Sequence, residues 1–122
     1  MKTVLVVDDS RIMRNIVKNY FSDMSIPCQY LEAADGNEAL ETILKQRIDL
    51  VLLDWNMPKL SGIDFLKKVR GIEKFRKLPI IMVTSEAAKY NVIEALKMGA
   101  TDYIVKPING KLFRDKLSKI LI

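Results

Sequence analysis

Near its start the chain passes from an apolar run directly into two acids, in the stretch Val4-Leu5-Val6-Val7-Asp8-Asp9. The same transition recurs at Leu50-Val51-Leu52-Leu53-Asp54, and a third apolar run, Ile80-Ile81-Met82-Val83, leads into a threonine. Short continuous runs of Val, Ile and Leu are typical of strands covered on both faces, as in a parallel sheet. Two weaker runs, at 28–33 and 102–105, complete five predicted strands.

Helical patterns fill the intervals between these strands. Ser10, Asn37 and Ser61 are the expected N-caps of three helices, Gly99 lies where a fourth should end, and a fifth runs from about residue 111 to Ile122. The apolar stripes expected to face the core include Ile12 and Ile16 on the first helix, Leu44 on the second, and Ile93 and Leu96 on the fourth. The alternation of strand and helix predicts an α/β fold, with helices on both faces of an open, doubly wound, five-stranded parallel sheet.

Length and composition exclude several kinds of chemistry. The 122 residues suffice for one domain, 1–122, and the only cysteine, Cys28, cannot form an intrachain disulfide. The chain has no histidine, which excludes Ser–His and Cys–His nucleophile pairs and the usual zinc sites. A bound metal must therefore have oxygen ligands, as Mg²⁺, Mn²⁺ or Ca²⁺ does.

The charge is moderately basic, with 20 Lys and Arg against 15 Asp and Glu, a net charge of +5. The most basic stretch, residues 67–77, is interpreted as a solvated surface because only one aromatic interrupts it, so no nucleic acid is expected as a partner. No run approaches the roughly 20 apolar residues of a membrane span, and the first residues do not resemble a signal peptide. The expected location is the cytoplasm, without membrane insertion.

Chemistry-bearing residues follow four of the predicted strands. Asp8-Asp9, Asp54, Thr84 and Lys106 all fall at carboxyl ends, where open α/β sheets bind their ligands. Two carboxylates about 4 Å apart repel by roughly 4 kcal/mol at an effective dielectric near 20, so such a cluster requires cations. Lys106 can supply one charge and Mg²⁺ more. The pattern indicates phosphoryl transfer to an Asp carboxylate, with the Thr84 hydroxyl and the Lys106 ammonium binding phosphoryl oxygens.

Each of these residues also has an ordinary structural explanation. Asp8 or Asp9 can sit at a helix N-terminus, Asp54 can begin a turn, and Thr84 can cap a helix. Lys106 can be a surface lysine at a strand end. Their joint placement after four separate strands favours the site.

The motifs together resemble one family. They are Val7-Asp8-Asp9-Ser10, Leu53-Asp54-Trp55-Asn56-Met57-Pro58, Gly62, Val83-Thr84-Ser85 and Val105-Lys106-Pro107. In order and spacing they resemble, along essentially the whole chain, the receiver domain of two-component response regulators. Trp55-Asn56, Tyr103 and the expected absence of an output domain resemble the single-domain chemotaxis members. The resemblance implies a flavodoxin-like (βα)5 fold with strand order 2-1-3-4-5 and a cis Lys106–Pro107 bond.

The resemblance also implies a role for each pocket residue. Asp54 would accept a phosphoryl group from a histidine kinase, assisted by Thr84 and Lys106. Asp8, Asp9, Asp54 and the backbone carbonyl of Asn56 would hold Mg²⁺, for which Mn²⁺ could substitute.

Further implied roles concern switching and partners. Thr84 and Tyr103 would rearrange on phosphorylation, and Asn56 and Glu86 would set the lifetime of the phosphoryl group. The changed surface would be formed by the fourth helix, fifth strand and fifth helix. Its expected residues are Lys89, Tyr90, Tyr103 and Lys116. It would bind a flagellar motor switch protein or another output protein, a phosphatase is a further expected partner, and a monomer is the expected state.

Four alternatives stay open from the sequence. A Mg²⁺-dependent phosphohydrolase with an aspartate nucleophile is disfavoured because Asn56 stands where such enzymes often carry a general acid. A flavin carrier is disfavoured because Asp8-Asp9 would repel the flavin phosphate. The others are a receiver that has lost phosphorylation and a stand-alone receiver in a phosphorelay outside chemotaxis.

Overall fold

Five strands alternate with five helices in the computed structural model, which describes residues 1–121. The strands are β1 (Lys2–Val7), β2 (Cys28–Ala33), β3 (Leu50–Leu53), β4 (Ile80–Thr84) and β5 (Asp102–Val105). The helices are α1 (Arg11–Met24), α2 (Gly36–Lys45), α3 (Gly62–Arg70), α4 (Lys89–Lys97) and α5 (Gly110–Leu121), with a 3₁₀ turn at Glu73–Phe75. The predicted fifth helix extends to Ile122, which lies outside the described residues.

The strands form one parallel sheet in the order β2-β1-β3-β4-β5, which confirms the predicted fold class and topology. Val7 at the end of β1 pairs with Leu53 at the end of β3. On the other side of β3, Thr84 at the end of β4 pairs with Val105 at the end of β5. The carboxyl ends of four strands therefore meet at one edge, which includes the point between β1 and β3 where the strand order reverses.

Alternate residues of the central strands are buried on opposite faces of the sheet. Leu5, Val51 and Met82 belong to a core cluster with residues of α2, α3 and α4. Val6, Leu52 and Val83 belong to a second cluster with residues of α1 and α5. Because both faces are covered, the central strands β1, β3 and β4 are apolar along nearly their whole length, as the sequence pattern predicted.

Some predicted helix details are wrong. Asp35, not Asn37, caps α2, because its carboxylate accepts the Glu38 N–H at 2.9 Å and its backbone is extended. Gly36 then begins the helix, where a Cβ atom would lie 2.8 Å from the carbonyl oxygen of Leu60. By contrast, Ser10 and Ser61 cap α1 and α3 as predicted.

Several residues of the predicted apolar stripes are exposed rather than buried. On α4 the buried position is the small Ala95. The exposed residues are Ile12, Ile16, Leu44, Ile93 and Leu96. Gly99, whose φ is +110°, follows α4 and makes the turn into β5 at the predicted helix end. Among residues 1–121, no helix combines the length and apolar character needed to cross a membrane.

Candidate phosphoacceptor and metal pocket

Two neighbouring strands bring three aspartates together at the carboxyl edge of the sheet. Asp8 and Asp9 follow β1 and Asp54 follows β3, and one carboxylate oxygen from each lies within 4.8 Å of the others. Asp8 and Asp54 are 5% and 8% exposed, whereas Asp9 is exposed. The cluster thus consists of two buried carboxylates and one exposed carboxylate.

Backbone amides hold the two buried carboxylates. Asp8 Oδ1 accepts the Ser10 N–H at 2.9 Å, and Asp54 Oδ1 accepts the Trp55 N–H at 2.8 Å. The backbone N–H of Asp54 donates to the carbonyl of Val7 at 2.9 Å, which continues the sheet ladder into the pocket. On each of the two carboxylates, therefore, a backbone amide holds Oδ1 and leaves Oδ2 without a backbone partner among residues 1–121.

Lys106 supplies the positive charge that faces these acids. Its Nζ lies 2.8 Å from Asp8 Oδ2 and 3.7 Å from Asp54 Oδ2, and its side chain is 15% exposed. Its backbone N–H donates to the carbonyl of Thr84 at 2.9 Å, and the Lys106–Pro107 peptide bond is cis. The fully buried Thr84 completes the edge on the β4 side.

The electrostatics of Asp54 reflect this crowding. Burial raises the pKa of the Asp54 carboxyl above its usual value, and the charge of Asp8 adds to the increase. The Lys106 ammonium and hydrogen bonds from Thr84 and the Trp55 N–H oppose it. One ammonium faces three carboxylates, so the pocket retains an excess of negative charge that a further cation would reduce.

The donor set fits a hard divalent cation. Mg²⁺ binds oxygens at about 2.1 Å in an octahedron, so its ligands lie at most about 4.2 Å apart. The three carboxylate oxygens, all within 4.8 Å of one another, need only small side-chain rotations to reach that spacing. Asp9, exposed at the mouth, leaves that side open to water or phosphoryl oxygens.

A second set of hydrogen bonds links the pocket to the β4–α4 loop. Asn56 Nδ2 donates to Glu86 Oε1 at 2.7 Å, and Asn91 Nδ2 donates to Glu86 Oε2 at 3.3 Å. The backbone N–H of Glu86 donates to Thr84 Oγ1 at 3.3 Å. The Tyr103 hydroxyl donates to the carbonyl of Glu86 at 2.5 Å. Glu86 therefore contacts residues from the β3–α3 loop, β4, α4 and β5.

The four residues expected on the output face do not all lie on the surface. Lys89 and Tyr90 are exposed on α4. Tyr103 is only 6% exposed because its ring packs into the core cluster. Lys116 donates to Asp102 Oδ1 and to the carbonyl of Tyr103, both at 2.8 Å. In this conformation the Tyr103 side chain is therefore not part of the exposed face, and the residue contributes to it only through the hydrogen bond that its carbonyl accepts from Lys116.

Sequence reasoning did not single out Arg14, which holds the β1 end of the pocket. Its Nη1 donates to the backbone carbonyl of Asp8 at 2.6 Å, and its Nε pairs with Glu32 Oε1 at 2.9 Å. The only signal was a cation one turn into the helix that follows the acidic pair. Arg14 lies on α1 and its partner Glu32 lies on β2, so spacing along the chain did not reveal the contact.

The comparisons with known proteins agree with this geometry. The family model described as the response regulator receiver domain matches residues 4–118. The chain therefore belongs to the response regulator receiver domain family. Members of this family are signalling switches rather than classical enzymes, and they bind Mg²⁺ at an acidic pocket of the kind that Asp8, Asp9 and Asp54 form.

Within the family, the chain is similar to chemotaxis proteins named CheY. It is 44% identical to chemotaxis protein CheY-3 of Vibrio cholerae over 117 residues, which covers 96% of this chain and 89% of that protein. It is 45% identical to chemotaxis protein CheY1 of Helicobacter pylori over 119 residues, which covers 97% and 95%.

Solved structures give the same result. The chemotaxis protein CheY4 of Vibrio cholerae superposes with a TM-score of 0.87 at 36% identity, over 99% of both chains. A CheY-like receiver domain protein of Methanospirillum hungatei superposes with a TM-score of 0.86 at 28% identity, over 99% of this chain and 94% of that one.

Proposed function

We propose that this protein is a phosphorylation-activated response regulator of a two-component system, with Asp54 as the residue that accepts the phosphoryl group from a histidine kinase. One observation carries the proposal. Asp54 is 8% exposed, and its carboxylate lies among the oxygens of Asp8 and Asp9, with Lys106 Nζ 3.7 Å from its Oδ2. A nucleophile, a cation and a negatively charged pocket thus meet in one place.

The transfer forms one bond and breaks another. A carboxylate oxygen of Asp54 attacks the phosphorus of the kinase's phosphohistidine, the P–N bond breaks, and an acyl phosphate forms on Asp54. The imidazole leaves with its electron pair and takes a proton from water. Lys106 moves from the carboxylates to a phosphoryl oxygen, and the Thr84 hydroxyl donates to another, so both groups stabilise charge that the incoming group brings.

The metal ligands in this proposal are Asp8, Asp9, Asp54 and the backbone carbonyl of Asn56, with Mg²⁺ as the ion and Mn²⁺ as a substitute. When bound, such a cation offsets the charge of the carboxylates and the phosphoryl oxygens. The support is the set of three carboxylate oxygens within 4.8 Å of one another.

The switch acts through Thr84 and Tyr103. Movement of the Thr84 hydroxyl toward a phosphoryl oxygen releases the Glu86 N–H that it now accepts, and the Tyr103 hydroxyl is bonded to the carbonyl of that same residue. Phosphorylation therefore acts on the β4–α4 loop and on β5 through these two hydrogen bonds. Glu86 continues the connection to α4 through Asn91, and Tyr103 continues it to α5 through Lys116. Asn56 and Glu86, joined at 2.7 Å beside the pocket, set the phosphoryl lifetime.

The output partner binds the face formed by α4, β5 and α5, where Lys89, Tyr90 and Lys116 lie. Similarity to chemotaxis proteins over almost the whole chain supports the flagellar motor switch as that partner, with a phosphatase as a second. The competing assignment is a receiver in a phosphorelay outside chemotaxis. Binding of the phosphorylated form to a purified motor switch protein, measured against the unphosphorylated form, separates the two.

Trp55, next to Asp54, provides the test because it is the only tryptophan. Its fluorescence should respond saturably to Mg²⁺ and then change further on addition of acetyl phosphate. Asp54→Asn should abolish the second change, whereas the control Asp23→Asn, an exposed acid on α1, should retain both. Absence of any phosphodonor response in the unmodified chain would contradict the proposal, and steady release of phosphate from varied phosphoesters would revive the phosphohydrolase.

A further inference from the structure

A groove lies at the end of the sheet opposite the aspartates. Its volume is about 690 Å³, and residues that precede or begin β1, β3 and β4, such as Lys2, Asp49 and Pro79, form part of its lining. A second cavity of about 860 Å³ shares Lys2, Arg47 and Asp49 with it and extends to Pro27 in the α1–β2 loop. Because the two cavities share three lining residues, they adjoin and offer a continuous surface to an extended segment of chain.

The groove concentrates positive charge. Five cations line the 690 Å³ part, namely Lys2, Lys45, Arg47, Lys74 and Lys77. Asp49 is the one acid in that lining, and its carboxylate already accepts the Thr3 N–H at 2.8 Å and pairs with Arg47 at 3.6 Å. The lining thus has a net charge of +4, close to the +5 of the whole chain.

Within the described part of the chain, four of these five cations form no ion pair, and one of the four, Lys74, has its Nζ 5.6 Å from the centroid of the Phe75 ring. Within residues 1–121, Lys2, Lys45, Lys74 and Lys77 form no ion pair with an acid closer than 4 Å. Lys45 lies in the last turn of α2, where a cation balances the helix dipole. The other three gain no such stabilisation from α2, and all four are exposed.

The groove also offers an apolar contact. Three buried apolar residues, Ile43, Ile48 and Phe75, line it together with Leu44, which is 56% exposed. An exposed leucine beside unpaired lysines matches a ligand that carries both negative charge and an apolar side chain.

We propose that this groove binds an acidic segment of a partner protein, with an apolar side chain of that segment against Leu44. A second copy of this chain is disfavoured because its net charge is also +5. A flat membrane or a rigid duplex cannot follow a concave surface as an extended peptide can. The groove lies at the end of the sheet opposite Asp54, so the segment and the phosphorylation machinery can be engaged together, and the proposal does not depend on phosphorylation.

The first experiment measures how strongly the full chain binds an acidic peptide. The probe is a fluorescein-labelled peptide of about twelve residues, half Glu and with two Leu, followed by anisotropy and by amide chemical shifts. Replacing Arg47, Lys74 and Lys77 with Gln should lower its affinity at least about tenfold. The shifts of the unmodified chain should map to the groove.

A matched control removes the same charge elsewhere. Replacing Lys67, Lys68 and Lys97 with Gln also removes three exposed cations, none of which lines either cavity, and should change affinity less than about twofold. Equal losses in the two triple variants would overturn the proposal, because they would reflect net charge alone. Unchanged acetyl phosphate response in both variants verifies that they are folded.

The second experiment tests the apolar contact. Leu44→Ser should weaken the Leu-containing peptide about threefold or more and leave a Ser-for-Leu version of the peptide unaffected. Leu112→Ser, at an exposed leucine on α5, is the control. Tighter binding of duplex DNA or phosphatidylserine vesicles at the groove than of the peptide would overturn the assignment of the occupant.

Discussion

Gly62 packs its Cα directly against the backbone carbonyl of Asp54. A Cβ atom on Gly62 would lie 1.9 Å from that oxygen, and the Gly62 N–H donates to the carbonyl of Trp55 at 2.8 Å. The first turn of α3 therefore lies backbone to backbone against the loop that carries the proposed phosphoacceptor. No side chain fits between them.

The Gly62→Ala substitution should reduce the free energy of unfolding by about 3 kcal/mol, because the methyl group must displace main-chain atoms rather than a mobile side chain. Urea denaturation measures the loss. The control Gly71→Ala places its Cβ 3.3 Å from the nearest atom at an αR position and should change stability by less than about 1 kcal/mol. Similar values for the two variants would contradict the tight packing.

Asp9→Asn should weaken Mg²⁺ binding at least about tenfold, because it removes one of three charged oxygens from the proposed ligand set. A Mg²⁺ titration of Trp55 fluorescence gives the affinity. Asp23→Asn makes the same change in net charge on an exposed face of α1 and should bind Mg²⁺ like the unmodified chain. An Asp9→Asn variant with unchanged affinity would remove Asp9 from the ligands.

Tyr103 should make stability depend on pH in alkaline solution. Burial raises the pKa of its phenol from 10.0 to about 12, with the charges of Glu86 and Asp54 adding to the increase. Between these values the unfolded chain releases a proton that the folded chain keeps, so stability falls as pH rises.

Urea denaturation of the Tyr103→Phe variant tests this relation. The stability advantage of the unmodified chain over the variant should shrink by about 1 kcal/mol between pH about 8 and about 11. Tyr90→Phe, at a tyrosine that is 72% exposed, should parallel the unmodified chain throughout. If the difference in the free energy of unfolding between the unmodified chain and Tyr103→Phe did not change with pH, burial would not raise the pKa of Tyr103.

Glu86→Ala should lengthen the phosphoryl lifetime about threefold or more, because it removes the carboxylate that holds the Asn56 amide at 2.7 Å and can bind an attacking water. The decay of the Trp55 signal after removal of the phosphodonor measures the rate. Glu94→Ala, another acid in the α4 region, is the control and should leave the decay unchanged. An unaltered rate in Glu86→Ala would exclude the role proposed for Glu86.

The sequence predicted the strands well, since they are defined by burial on both faces. Cys28–Ala33, Leu50–Leu53 and Asp102–Val105 have the predicted bounds. The meeting of Asp8, Asp54 and Lys106 at one edge also followed, because parallel strands end on the same side of a sheet. The strand order did not follow from these runs and came from the family resemblance.

Contacts between distant segments could not be predicted in this way. The prediction misplaced the apolar stripe of α4 because the small residue Ala95 occupies the buried position, whereas the larger apolar residues Ile93 and Leu96 are exposed. The α2 cap was misplaced because Asp35 and Asn37 are both good capping residues, and the packing of Gly36 against Leu60 decides between them. The bond between Tyr103 and the Glu86 carbonyl depends on a rotamer, which spacing does not encode.

The ion pair between Asp8 and Lys106 joins residues 98 positions apart. During synthesis, a ribosome would have to release almost the whole chain before this contact could form, and β5 would have to join the sheet. A nascent or truncated chain that already exposes Asp54 would lack the cation opposite it. The pocket is therefore complete only when the fold is complete, so each molecule becomes able to signal only at the end of its synthesis and folding.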